Sequence, residues 1–134
     1  SDWDYVIDAI DMVSSKLNLI ENCKAMNIPI ISCMGAGNKL DPTMFQVGDI
    51  YETNTCPLAK VMRKELKKRG IKDLKVVWSR EKPIKINVEK DNVRKSVPGS
   101  VSFVPSVAGL ILASEVIKDL VYGGDLRGTN RICT

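Results

Sequence analysis

The chain has 134 residues, 44% apolar and 27% charged, which suits one globular domain and excludes a disordered chain. No apolar run reaches the roughly 18 residues of a membrane span, so neither a spanning helix nor a signal peptide is expected. There is no His, which excludes His-based triads and His metal sites.

The four Cys, at 23, 33, 56 and 133, form no CxxC pair. That spacing argues against a zinc site or a disulfide scaffold and for a reducing, cytoplasmic setting. The net charge of +4 conceals an asymmetry. Residues 1–55 hold eight acids and three bases, whereas residues 60–95 hold fourteen bases and five acids. Such a block favours an anionic partner, most simply nucleic acid; a face of solvated lysines is the plainer reading.

Tyr5–Ile10 is short, apolar and β-branched, the pattern of a buried strand. It begins almost at once and without a Met, which suggests a piece of a longer domain whose N-terminal half lies elsewhere. The spacing of Val13, Leu17, Ile20, Cys23 and Met26 predicts a helix over 14–27. A second buried strand follows over 28–33, with Pro29 near its start, where a missing N–H is tolerated. Residues 34–42 carry Gly and Asp-Pro loop signals. A third strand is expected over 45–51. Pro57 and Gly70 bracket a helix over 57–69, whose buried face is expected to be Leu58, Val61, Met62 and Leu66. A fourth strand is expected over 74–79, then a polar loop over 82–100. Residues 105–122 read as a helix apolar nearly all round, hence buried. The tail from Gly123 looks irregular. Strand, helix, strand implies a βαβ unit, whose ligands bind beyond the carboxyl ends of the strands.

Several residues fall at those ends. Asp11 follows the first strand and precedes the first helix, so it can hold Mg²⁺ and organise phosphates, or simply cap the helix. Lys16 lies in the first turns of that helix, where it opposes the dipole unless a phosphate is bound; otherwise it is a surface lysine. Asp8, inside the strand, needs hydrogen-bond partners and reads as structural. Gly35 and Gly37 open like a dinucleotide loop, but the third Gly would fall at Leu40 and no helix follows, so they mark a close backbone approach instead. Cys56 precedes Pro57 at the start of a basic helix, a setting that favours thiolate and a nucleophilic role; the alternative is an unreactive cap neighbour. Cys23 and Cys33 fall on core patterns.

Asp8-Ala-Ile-Asp-Met-Val-Ser-Ser-Lys16 resembles the DxxD-x(4)-K/R element of the ThiF/MoeB/HesA superfamily of adenylating enzymes, relatives of ubiquitin-activating enzymes. Taken with Met34-Gly-Ala-Gly37, Leu40-Asp-Pro-Thr43, Asp49-Ile50, Pro57–Leu66 and Val97–Pro105, the chain is similar to the branch of tRNA threonylcarbamoyladenosine dehydratases. The resemblance implies an α/β, Rossmann-like mixed sheet flanked by helices. Residues 1–134 would be the C-terminal part of one ThiF-type domain, the half with the Gly-rich nucleotide loop being absent.

The resemblance also implies a reaction: ATP activates the threonine carboxylate as an acyl adenylate, the carbamoyl group attacks it, and ring closure expels AMP. Asp11 would bind Mg²⁺, and Asp11, Lys16, Gly35 and Gly37 would lie at the nucleotide, with Cys56 as an optional catalytic thiol. Arg63, Lys64, Lys67, Lys68, Lys82, Lys85, Arg94 and Lys95 would meet tRNA, and a homodimer is expected. Met12 departs from the Asn that often follows this Asp. Two alternatives stay open: an adenylating enzyme for a ubiquitin-like or sulfur-carrier protein, and a non-catalytic interaction module.

Overall fold

The computed structural model describes residues 3–84 and 101–122. The tail from Gly123, most of the expected loop over 82–100, and with it Lys85, Lys90, Arg94 and Lys95, lie outside the described residues.

Four strands form one sheet: β1 (Val6–Asp8), β2 (Ile30–Cys33), β3 (Phe45–Asp49) and β4 (Lys75–Ser79), in the order β1-β2-β4-β3. The first two pairings are parallel, Val6 opposite Ile30 and Ile31 opposite Lys75, while β3 runs antiparallel to β4. The sheet is thus mixed, and its parallel part is the βαβ unit expected from the alternation of elements.

The helices are α1 (Val13–Ala25), α2 (Pro57–Lys68) and α3 (Phe103–Tyr122). Both α1 and α2 end in the same way. Beyond α1, Asn27 takes φ 56°, and Ile28 N–H donates to the Cys23 carbonyl at 2.9 Å. Beyond α2, Gly70 takes φ 71°, and Ile71 N–H donates to the Leu66 carbonyl at 3.0 Å. A left-handed residue there reverses the chain and satisfies the last carbonyls, and Gly and Asn adopt that conformation most readily. The strand expected over 45–51 stops at Asp49, whose carboxylate accepts from Tyr51 N–H at 3.0 Å and turns the chain into a short 3₁₀ segment.

Helices α1 and α2 cover one face of the sheet. Leu17, Ile20 and Cys23 of α1 and Ala59, Met62 and Leu66 of α2 pack there with Val6, Ile30, Val76 and Trp78. Two expected core residues are not there. Met26 is 57% exposed beyond the end of α1, and Val61 is 46% exposed because the inward stripe of α2 runs through Ala59 instead.

Helix α3 covers the other face and corrects the expectation of a wholly buried element. Only Val104, Ala108 and Leu112 are buried, while Leu110, Ile117 and Val121 are 70%, 61% and 66% exposed. A helix against one sheet face buries one stripe, whatever the composition of the rest. Its C-terminal half is tied by charge: Lys75 on β4 pairs with Glu115 at 2.8 Å and Asp119 at 2.9 Å. The Tyr5 hydroxyl also donates to Asp119 at 2.6 Å. No helix among the described residues is long and apolar enough to cross a membrane.

Candidate functional site

Asp8, Lys16 and Ser32 meet near the carboxyl ends of β1 and β2, and Gly35, Lys39 and Cys56 meet just beyond β2. Asp8 and Lys16 are both fully buried and form an ion pair at 2.8 Å. Asp8 also accepts from the Ser32 hydroxyl at 2.5 Å and from Ile10 N–H at 2.9 Å. The Lys16 ammonium donates in addition to the Ile10 carbonyl at 3.2 Å. Asp8 is therefore structural, as its place in the strand suggests. Lys16 is not a surface lysine: it is fully buried, and its charge is paired with Asp8.

Asp11 is exposed and lies just beyond β1. The N-cap of α1 is Met12, with no side-chain capping bond, so Asp11 does not cap the helix. Among the described residues its carboxylate makes no hydrogen bond or ion pair, which leaves all its lone pairs for a ligand. No cluster of three or more Cys, Asp or Glu capable of holding a metal occurs among the described residues.

Gly35 is half-buried where the chain leaves β2. A side chain there would meet Leu58 Cβ at 3.9 Å and Cys56 Sγ at 4.0 Å, ordinary contact distances, so packing does not demand this glycine. Its carbonyl instead accepts from the Lys39 ammonium at 2.5 Å. The loop is fastened further by Glu81, which accepts from Leu40 and Asp41 N–H at 2.8 and 2.9 Å. Gly37 lies in the turn of this loop.

Cys56 does stand at the N-cap of α2, but it is 2% exposed and belongs to the core, which disfavours a nucleophilic role. Cys33 is half-buried, and burial above all pushes its thiol up; the charges of Lys16 and Lys39 act against that, and Asp8 adds to it.

On α2, Lys60, Lys64 and Lys67 are exposed and make no ion pair among the described residues, whereas Lys68 reaches Glu65 at 3.4 Å. Lys82 is exposed. Arg63 departs from the expected outward face: it is half-buried, donating to the Thr53 carbonyl at 2.9 Å and the Thr53 hydroxyl at 2.5 Å. Residue counting missed Lys39 altogether. The available signal was a lysine between a Gly-rich loop and Asp41-Pro42.

No family model matches the chain. Among solved structures it superposes on TcdA (CsdL) with a TM-score of 0.80 at 31% identity, covering 92% of this chain and 51% of that one. The E. coli tRNA N6-threonylcarbamoyladenosine dehydratase TcdA, solved with AMP, gives a TM-score of 0.79 at 30% identity over 92% of this chain and 51% of that one. The fold is therefore that of a ThiF-type α/β domain. In sequence the chain is 47% identical over 132 residues to the tRNA threonylcarbamoyladenosine dehydratase of Bacillus subtilis, covering 88% of this chain and 51% of that protein. The chain is thus similar to tRNA threonylcarbamoyladenosine dehydratases and spans about half the length of the relatives it matches.

Proposed function

We propose that this chain is the C-terminal part of a ThiF-type domain that uses ATP to cyclise threonylcarbamoyladenosine in tRNA. The observation that carries this reading is the shared sequence and fold with dehydratases, of which the E. coli enzyme has been solved both with AMP and with ATP. A carboxylate is a poor electrophile until its oxygen becomes part of a leaving group. Attack of that oxygen on the α-phosphate of ATP releases pyrophosphate and gives the acyl adenylate. The neighbouring carbamoyl group then attacks the acyl carbon and expels AMP, so the net loss is one water.

In this reading Asp11 holds Mg²⁺ against the phosphates, which an unpaired carboxylate at a strand's carboxyl end suits. Mg²⁺ commonly takes only one or two protein carboxylates beside substrate phosphates, so a single Asp fits it. When bound, the ion neutralises charge building on the phosphates. Lys16 keeps the β1–α1 turn in place through Asp8 rather than meeting phosphate itself. Lys60, Lys64 and Lys67 offer unpaired charge to tRNA phosphates, which give affinity without reading sequence. Gly35 and Gly37 leave the loop bare beside the nucleotide. A cytoplasmic setting and a homodimer go with the reading.

The test uses the whole protein that contains this chain, with ATP and tRNA carrying threonylcarbamoyladenosine. The expected product is a nucleoside lighter by one water, seen by mass spectrometry; unchanged nucleoside would refute the reading. Asp11→Asn should lower the rate about 100-fold or more. Replacing Lys64, Lys67 and Lys68 with Ala should weaken all tRNA substrates alike and flatten the salt dependence of binding. The 134 residues alone, which have no Gly-rich phosphate loop, should give no ATP–pyrophosphate exchange.

A further inference from the structure

Lys39 is 2% exposed, yet among the described residues its ammonium has a single acceptor, the Gly35 carbonyl at 2.5 Å. Among the described residues no carboxylate lies within ion-pair distance of it. The nearby acids are committed: Asp8 to Lys16, Ser32 and Ile10 N–H, and Glu81 to Leu40 and Asp41 N–H. Lys39 is fastened to Gly35 just past the end of β2, and the Asp8–Lys16 pair meets Ser32 near the end of the same strand. An uncompensated buried ammonium is costly, and structures keep one where an anion or several acceptors meet it.

Two further features adjoin it. Asn38, at φ 57°, has its Oδ1 buried and, among the described residues, without a hydrogen-bond partner. Gly35 sits where a side chain would fit, and so leaves room beside the first turn of α2, whose N-cap Cys56 supplies no side-chain bond. The buried cation, the helix start without a side-chain cap and the orphaned acceptor belong to adjoining stretches of chain: Asn38 precedes Lys39, and Gly35 lies against Cys56.

We propose that Lys39 is a binding point for an oxyanion, a carboxylate or a phosphate, carried by a ligand at the carboxyl end of β2, with Asn38 Oδ1 accepting an N–H or O–H of the same ligand. A carboxylate beside a carbamoyl N–H presents both chemistries. The inference rests on the proposed dehydratase reading only for the natural ligand, not for the binding itself.

The test is a titration of the 134-residue chain, labelled with ¹³C at lysine Cε and followed by NMR, with inorganic phosphate, acetate or N-carbamoylthreonine. Sodium chloride at matched ionic strength is the control. The Lys39 signal is assigned by its loss in Lys39→Met or, should that variant not fold, by its replacement in Lys39→Arg. A saturable shift with phosphate or with a carboxylate, and not with chloride, supports the site and identifies the oxyanion. N-carbamoylthreonine should saturate at about tenfold lower concentration than acetate, an advantage that Asn38→Gly removes. No saturable shift, or one that chloride reproduces, overturns the site. Dehydration by the whole protein with a silent Lys39 sinks this inference alone. Saturable binding without dehydration sinks the functional reading alone.

Discussion

The two faces of the sheet are built differently. On the α1–α2 face a cluster of fifteen buried apolar residues runs without a break from Val6 to Trp78. On the α3 face the fully buried cluster is Ile31, Val77 and Leu112. The apolar surface on that side is present but only partly covered. Ile7, opposite Ile31, and Val47, opposite Val77, are 46% and 38% exposed. Helix α3 is held there as much by Lys75, Glu115, Asp119 and Tyr5 as by its apolar stripe. Packing fixes the first face, and a few polar ties position the second.

The largest expected effect comes from the fully buried pair behind the first face. Asp8→Ala leaves the Lys16 charge without its counter-ion and should cost about 3–5 kcal/mol in urea unfolding. A cost under ~1 kcal/mol would mean that water reaches Lys16.

Next, Leu66→Ala should cost about 2–5 kcal/mol, with Leu112→Ala at the lower end because the α3 face can settle around the gap. Equal losses would erase the contrast between the faces. The exposed Leu110→Ala should stay within about 0.5 kcal/mol.

A smaller effect should appear with pH. Burial alone would lower the Lys75 pKa, but the hydrogen bonds and charges of Glu115 and Asp119 outweigh it, and the net direction is up from 10.5. A raised folded value means that this tie is fully present below pH 10.5 and is lost as pH rises through the higher folded value. Hydrogen exchange should show α3 loosening there before α1 or α2; simultaneous loosening would show that the tie is minor.

Smallest of all, Asp11→Asn should leave stability within about 0.5 kcal/mol, since among the described residues Asp11 caps nothing and pairs with nothing. A larger change would reveal an interaction of this carboxylate in the folded chain.

The elements were legible because their signals are local. Apolar spacing gave α1, Pro57 and Gly70 bracketed α2, and the β-branched runs gave the strands to within a few residues. What escaped depends on partners distant in the chain. Val61 looked like core because spacing shows a stripe but not where the sheet lies. Composition marked α3 as apolar without telling how many surfaces there were to receive it. The site divides in the same way: strand ends placed Asp11 and the Gly35 loop, but the burial of Lys16 on Asp8, of Cys56 under Gly35 and of Lys39 beneath its own loop arises only once β1, β2 and α2 converge.

The strand order has a consequence for synthesis. Among the described strands β4 is the last made, yet it lies between β2 and β3 and is the only one of them that pairs with β3. At roughly 5–20 residues per second, the span from the end of β3 to the end of β4 takes about 2–6 s on a ribosome. Until then the Ile30–Cys33 edge and the whole of β3 have unpaired backbone, the state most open to wrong pairing with another nascent chain. A chaperone that shields a strand edge would matter most in that interval.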